Sequence, residues 1–280
     1  MPKPVVSVVV PTRNRAGYLD VTLASLADQD FAEPYELIVV DDGSRDATTD
    51  VIRRHEGVRS LVHDAARGPN AARNAGARMA EADLIALTDD DVFAPRGWLR
   101  ALVEGARRHP DADVFGGPIR ARLDGPAPRS CGRELPPITT LNLGAFDVET
   151  DLVWSANMLL RRTALELAGK FDETLPTGGD EEEWLRRLAA HGGHVFYIGD
   201  AAIDHRRVGD DARLRSLMRS AYRRGYNLRG FDERHAKAPG LGDELRVLAG
   251  CGWHVVRRRC PQGLIMGAHS AGRLKRALVG

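Results

Sequence analysis

Short apolar runs near residues 5–10, 36–40, 58–62, 83–87 and 112–116 alternate with stretches whose large side chains recur at helical spacing. The runs are almost continuously apolar, as in Val5-Val6-Ser7-Val8-Val9-Val10, and strands of that kind are buried on both faces. The intervening segments supply the cover. Leu19, Leu23 and Leu26 form a stripe in the first crossover, Pro69 opens an alanine-rich helix through Met79, and Trp98, Leu99, Leu102, Val103 and Ala106 mark another. The pattern predicts an α/β chain on a mostly parallel, doubly wound sheet of Rossmann-like type, with ligands bound outside the carboxyl ends of the strands.

The polar motifs fall at those ends. Asp89-Asp90-Asp91 follows Leu84-Ile85-Ala86-Leu87-Thr88, and like charges crowded where a buried strand emerges point to a divalent cation. Mg²⁺ and Mn²⁺ take oxygen ligands and share them between carboxylates and substrate phosphates. A solvated acidic turn is the plain alternative. After the first strand, Pro11-Thr12-Arg13-Asn14-Arg15 offers polar side chains and backbone amides at the start of a helix, where a phosphate or a base can dock. After the second, Val39-Val40-Asp41-Asp42-Gly43-Ser44 offers a carboxylate to a base or ribose, with a glycine for the tight turn. No Gly-x-Gly-x-x-Gly follows the first strand and no Gly-Lys-Ser/Thr loop occurs, so dinucleotide and P-loop phosphate binding find no support.

Taken in order, Ser7 to Asn14, Val39 to Ser44, Ala72-Arg73-Asn74-Ala75-Gly76 and Asp89 to Asp91 resemble the family 2 glycosyltransferases. Trp154-Ser155-Ala156-Asn157-Met158, Arg161-Arg162 and Gly169-Lys170-Phe171-Asp172-Glu173 are similar to that family's acceptor-side segment, and Gly179-Asp180-Glu181-Glu182-Glu183 stands where its catalytic acid lies. The resemblance covers residues 5–205. It implies a GT-A fold and an inverting, Mn²⁺- or Mg²⁺-dependent transfer of a sugar from a nucleoside diphosphate sugar, UDP first, to an acceptor hydroxyl of a glycan, glycolipid or small molecule.

By the same resemblance, Pro11, Thr12, Arg13, Asp42, Arg73, Asp89 and Asp90 form the nucleotide side, and Asp91, Asp89 and His205 hold the metal, with Asp90 an alternative ligand. Trp154 and Asn157 meet the acceptor or the donor sugar. Asp180 is the base, with Glu181 or Glu182 taking that role in another register. Asp180 sits near a helix N-terminus, where a carboxylate is stabilised whether it acts as a base or as a cap. Two rivals stand beside this reading. A nucleotidyltransferase needs a glycine-rich NTP loop that is absent, and a nucleotide-sugar-binding module that has lost its acid would bind UDP without turnover.

At 280 residues, 43% hydrophobic and 28% charged, the chain is globular. Cys131, Cys251 and Cys260 show neither disulfide nor zinc spacing, which favours a reducing, cytoplasmic compartment, and the first apolar run is too short for a signal or a span. The net charge of +1 hides an asymmetry: residues 206–280 carry 17 Lys and Arg against 6 Asp and Glu, an excess of eleven, which leaves the preceding residues ten negative. Residues 1–205 are expected to form the glycosyltransferase domain, 1–117 its nucleotide half and 118–205 its acceptor half, with 206–280 a basic helical extension. Prolines across 118–150 predict a long irregular connection.

In the tail, Leu214, Leu217, Met218, Ala221 and Tyr222, and beyond Pro239-Gly240 Leu245, Val247, Leu248 and Trp253, predict two or three helices ending at Arg257-Arg258-Arg259. Arginine-bearing amphipathic helices lie on anionic lipid or face water; the first reading adds a peripheral contact with the inner face of a membrane. Nucleic acid is not an expected partner, because the basic residues lack interleaved stacking aromatics.

Overall fold

The computed structural model describes residues 2–129, 131–132, 137–175, 179–235 and 238–279. Pro136 of the proline-rich connection, and Thr177 and Gly178 on the approach to Asp180, lie outside them.

The pleat sorts the apolar runs onto two faces. In β1 (Val6–Thr12), Val8 and Val10 face one side and Val9 the other, all fully buried. Strands β2 (Tyr35–Asp41) and β4 (Leu84–Thr88) flank β1 in parallel, and β3 (Val58–Val62) extends the sheet beyond β2. On the side of Val8, Val10 and Val39 pack α1 (Ala16–Ala27), α2 (Thr48–Arg54) and α4 (Trp98–Arg108). On the side of Val9, Ile38 and Val40 pack α3 (Pro69–Met79), α5 (Arg162–Ala168) and α6 (Asp180–Ala190). A Cβ on Gly76 of α3 would stand 2.2 Å from Val9 Cγ1, so the glycine sets how closely this helix approaches β1.

Beyond β4 the sheet stops being parallel. Strand β9 (Asn157–Arg161) runs antiparallel between β4 and β6 (Val114–Gly116). Strands β10 (Val195–Tyr197) and β8 (Val148–Glu149) complete the order β3-β2-β1-β4-β9-β6-β10-β8. Asn157 pairs with Thr88, so the residues just before β9 stand beside the end from which the aspartate triplet emerges. Past the triplet, β5 (Val92–Phe93) pairs antiparallel with β11 (Ile203–Val208), which sets His205 opposite Val92. The third strand of that small sheet is β7 (Ile119–Asp124). The stretch 118–150, expected to be irregular, therefore contains β7 and β8: Pro118 directly precedes β7, and the other prolines of the stretch fall between the two strands.

The chain divides into two compact units, residues 1–120, 141–175 and 180–205 in one and 121–140, 176–179 and 206–280 in the other. The large sheet lies in the first. The second is built on α7 (Leu214–Arg234), α8 (Leu241–Arg258) and α9 (Gln262–Val279). Helices α7 and α9 approach so closely that a Cβ on Gly225 would stand 2.1 Å from the His269 carbonyl oxygen, and one on Gly272 2.1 Å from that of Tyr222. Ile138, Leu217, Ala221 and Ile265 form a small apolar core there. Among the described residues, no helix is long and apolar enough to cross a membrane.

Candidate active site

Strand β4 delivers three consecutive carboxylates to different surroundings. The Asp89 side chain keeps 30% of its surface exposed, whereas Asp90 and Asp91 keep 8% and 3%. Asp90 accepts hydrogen bonds from Thr12 Oγ1 at 2.7 Å and Arg15 Nη1 at 3.2 Å, and the same guanidinium donates to Asp91. Burial pushes the Asp90 carboxyl up to about 7; Arg15 opposes that rise, and Asp91 and Asp89 reinforce it. His205 Nε2 lies 3.1 Å from Asp91 Oδ1. Asp89, Asp91 and His205 each place one ligand atom within 4.8 Å of the others, a set of two hard oxygens and an imidazole nitrogen. That donor set fits Mn²⁺, and its carboxylates fit Mg²⁺.

Asp42 follows β2 and is fixed from three directions. Its Oδ1 accepts from His63 Nδ1 and the Arg67 amide, both at 2.8 Å, and its Oδ2 from the Gly68 amide at 2.8 Å. Burial works to raise this carboxyl, but His63 and the two amides outweigh it and hold it below the ordinary range. Asp41, fully buried, accepts from the Ser44 amide at 2.8 Å, and its Oδ2 finds no donor among the described residues. Of the other residues assigned to the nucleotide side, Thr12 is buried, Pro11 half-buried and Arg13 exposed.

Helix α3 carries the charge that links the two ends of the site. Asn70, Arg73 and Asn74 recur at i, i+3 and i+4 and share one helix face. Arg73 Nη1 donates to Asn70 Oδ1 and to Asp180 Oδ2, each at 2.8 Å, while Nη2 stands 3.7 Å from Asp89 Oδ1 and 3.9 Å from Glu181 Oε1. Burial works against the guanidinium's charge, but Glu181, Asp180 and Asp89 raise its pKa overall. Glu181 accepts from Ser155 Oγ at 2.6 Å; burial pushes its carboxyl up to about 7, with Asp180 adding to the rise and Arg73 opposing it. Asp180 and Glu181 thus converge on Arg73, whereas Glu182 pairs with Arg186 one turn along α6 at 3.5 Å.

Asn157 is fully buried, and its amide is engaged within the protein: Oδ1 accepts from Trp98 Nε1 at 2.8 Å, and Nδ2 donates to the carbonyls of Ala201 at 2.7 Å and Pro118 at 3.2 Å. Trp154 is half-buried against the core on the α1 and α4 side. Arg15 and Ser155 stood in the sequence only as members of longer motifs, and His63 was not singled out. Arg15 closes the first motif, three residues beyond Thr12. His63 follows Val62, which pairs with Asp41, so parallel register brings it beside Asp42. Ser155 lies in the acceptor-side segment, two residues before Asn157, and no spacing singles it out there.

The sequence profile of Glycosyl transferase family 2 matches residues 7–168. Validoxylamine A glucosyltransferase of Streptomyces hygroscopicus subsp. jinggangensis (strain 5008) is 32% identical over 220 residues, 68% of this chain and 52% of that protein. The chain therefore spans about half the length of this relative. Mannosyltransferase PcManGT from Pyrobaculum calidifontis, solved in complex with GDP-Man and Mn²⁺, matches with a TM-score of 0.61 at 18% identity, over 97% of this chain and 70% of its own. S. aureus TarS 1–349 in complex with UDP-GlcNAc matches with a TM-score of 0.57 at 18% identity, over 98% and 91%. These likenesses give the fold, an α/β sheet of the GT-A type followed by helices. With the profile over more than half its length and a relative at this identity, the chain belongs to glycosyl transferase family 2.

Proposed function

We propose that this chain is a metal-dependent, inverting glycosyltransferase that moves a sugar from a nucleoside diphosphate sugar, UDP first, to an acceptor hydroxyl. One observation carries the reading: a single buried guanidinium, Arg73, reaches both the aspartate triplet and the acids that open α6. Asp89, Asp91 and His205 would hold a divalent ion, which when bound supplies the charge that stabilises a departing diphosphate. Asp42, with its carboxylate fixed by two amides and an imidazole, hydrogen-bonds the base. Asp180 takes the proton of the acceptor hydroxyl as that oxygen attacks the anomeric carbon from the face opposite the leaving group. Glu181, with its carboxyl near neutral pH, stands beside it. Arg73 positions both acids, and Asn157 braces the strand ends behind them.

The solved relatives support the donor class, since one holds GDP-Man with Mn²⁺ and another UDP-GlcNAc. The validoxylamine A glucosyltransferase supports a small-molecule acceptor. The deciding experiment is a thermal-shift screen of purified protein against UDP, GDP, CDP and TDP and their sugars, each with Mn²⁺, Mg²⁺ or EDTA. Stabilisation by one nucleoside diphosphate only with metal is expected. Stabilisation that EDTA leaves unchanged would overturn the metal assignment.

Helix α8 supports a lipid surface as the place where an acceptor is met. At 3.6 residues per turn, Leu241, Leu245, Ala249, Trp253 and Val256 fall in an arc of about 120°. All five are exposed or half-buried, Trp253 at 67% and Val256 at 74% exposure, and Arg246 and Arg257 border the arc. Sedimentation with anionic vesicles should carry the protein down, neutral vesicles should not, and Trp253→Ser should weaken the difference.

A further inference from the structure

We propose that Cys131, His254 and Cys260 form a zinc site that ties Cys131 to the turn between α8 and α9. No zinc spacing is visible in the sequence, because Cys131 precedes His254 by 123 residues. The fold removes that separation. Cys131 Sγ lies 3.6 Å from His254 Nε2, and the ligand atoms of all three residues lie within 4.8 Å of one another. A tetrahedral zinc ion with bonds of about 2.3 Å to sulfur and about 2.0 Å to nitrogen holds an S and an N roughly 3.5 Å apart and two sulfurs roughly 3.8 Å apart. The trio already meets the first distance.

The backbone accounts for the convergence. His254 sits in the last turns of α8, and the helix ends on Arg259, whose φ of 49° and ψ of 37° lie in the left-handed region that a side chain disfavours. That reversal turns Cys260 back toward His254 and buries it, its thiol 3.9 Å from the Arg129 carbonyl oxygen. Cys131 is exposed and His254 half-buried, so one side of the cluster faces solvent and leaves room for water as the fourth ligand. Binding sends the two thiol protons to solvent and changes no oxidation state.

Donor chemistry separates this site from the acidic one. Two thiolates and an imidazole select zinc over magnesium and manganese, the ions suited to Asp89, Asp91 and His205. The second unit would therefore carry an ion of its own, bound by different chemistry from that of the acidic site.

The test uses the reduced full chain, stripped with chelator and titrated with Zn²⁺ and with Co²⁺ as a spectroscopic probe. Expected is one zinc per chain that survives in Asp91→Asn, and a cobalt complex with a thiolate-to-metal charge-transfer band and the d–d bands of tetrahedral coordination. Cys131→Ser and Cys260→Ser should each abolish the charge-transfer band while far-ultraviolet circular dichroism stays unchanged, and Cys251→Ser should keep it. A cobalt spectrum with no thiolate band, or a zinc content that neither cysteine variant lowers, overturns the proposal. So does recovery of a Cys131–Cys260 disulfide from protein alkylated at lysis, which would assign the pair to oxidation instead.

Discussion

Both units bury charge, and they balance it differently. In the helical unit, Arg273 pairs with Glu244 at 2.6 Å and Asp232 at 2.9 Å, Arg229 with Glu233 at 2.9 Å, and Arg276 with Glu233 at 3.3 Å. Three guanidiniums meet three carboxylates. At the acidic site, Asp89, Asp90, Asp91, Asp180 and Glu181 are answered by Arg15 and Arg73, five carboxylates to two guanidiniums. A buried charge without a partner costs several kcal/mol, so a fold selected for stability alone would not keep such a surplus. The protein relieves it in part by protonation, which is why burial leaves Asp90 and Glu181 near pH 7. A divalent cation would relieve the rest. In the network of Arg229, Arg273 and Arg276 the charges are matched within the protein, and at the acidic site a bound cation would offset the surplus.

The largest expected effects break the unbalanced site. Asp91→Asn should abolish metal-dependent nucleotide binding in calorimetry with the fold intact, whereas Asp180→Asn should preserve binding and lower turnover by about 10²–10⁴-fold. If both variants lose binding together, the division between metal and base roles fails. Next come the paired arginines. Arg73→Ala and Arg273→Ala each strip a buried guanidinium from its carboxylates and should each cost about 3–5 kcal/mol in urea unfolding. Only Arg73→Ala should also remove turnover from the folded fraction. Equal loss of turnover in Arg273→Ala would show that the helical unit's network serves the chemistry as well.

The two units were also unequally legible in the sequence. Strands β1, β2 and β4 and the motifs at their ends could be read because each apolar run is long, bounded and followed by its polar residues within a few positions, whereas β3, Val58-Arg59-Ser60-Leu61-Val62, is a largely exposed strand at the sheet's edge and not one buried on both faces. Strand β9 could not, since Met158-Leu159-Leu160 is too short for its period to be told from a buried helix, and its antiparallel insertion is set by tertiary pairing. Asp89, Asp91 and His205 were grouped by resemblance, and the pairing of β5 with β11 supplies the physical reason for their meeting. Asn157 was assigned to sugar contact, and only the fold reveals three internal partners for its amide. The cysteines were opaque for the opposite reason: their relation is purely long-range.

The raised Glu181 carboxyl gives a pH test of smaller size. Its folded value of about 7 exceeds the ordinary 4.5, so between those pH values the native state holds a proton that the unfolded chain has lost. Stability from this group is present below pH 4.5 and falls as pH rises through 7. A glutamine in place of Glu181 would not titrate and can still accept from Ser155 Oγ. For the metal-free protein, Glu181→Gln should gain stability relative to wild type between pH 5 and pH 8 by up to about 3 kcal/mol, because each pH unit by which folding raises the carboxyl is worth about 1.4 kcal/mol. Urea melts at the two pH values measure it, and a difference that does not change with pH would remove Glu181 from the surplus.

The smallest effects compare how each unit seats a helix. Alanine at Gly76 places its Cβ 2.2 Å from the Val9 side chain, and alanine at Gly225 places it 2.1 Å from the His269 carbonyl oxygen. Both changes gain about 1 kcal/mol of helix propensity and both overpack, at about 1–3 kcal/mol. The obstacles differ in kind. Val9 is a side chain inside a sheet core and relaxes by a small shift of α3, but a backbone carbonyl within α9 moves only if the whole helix moves. Gly225→Ala should therefore lower the unfolding midpoint more than Gly76→Ala. Gly76→Ala alone should weaken metal-dependent nucleotide binding, because Arg73 rides on the helix that shifts. If Gly225→Ala weakens that binding as strongly, the helical unit is coupled to the site through its packing, and charge balance would not be the only difference between the two units that matters for function.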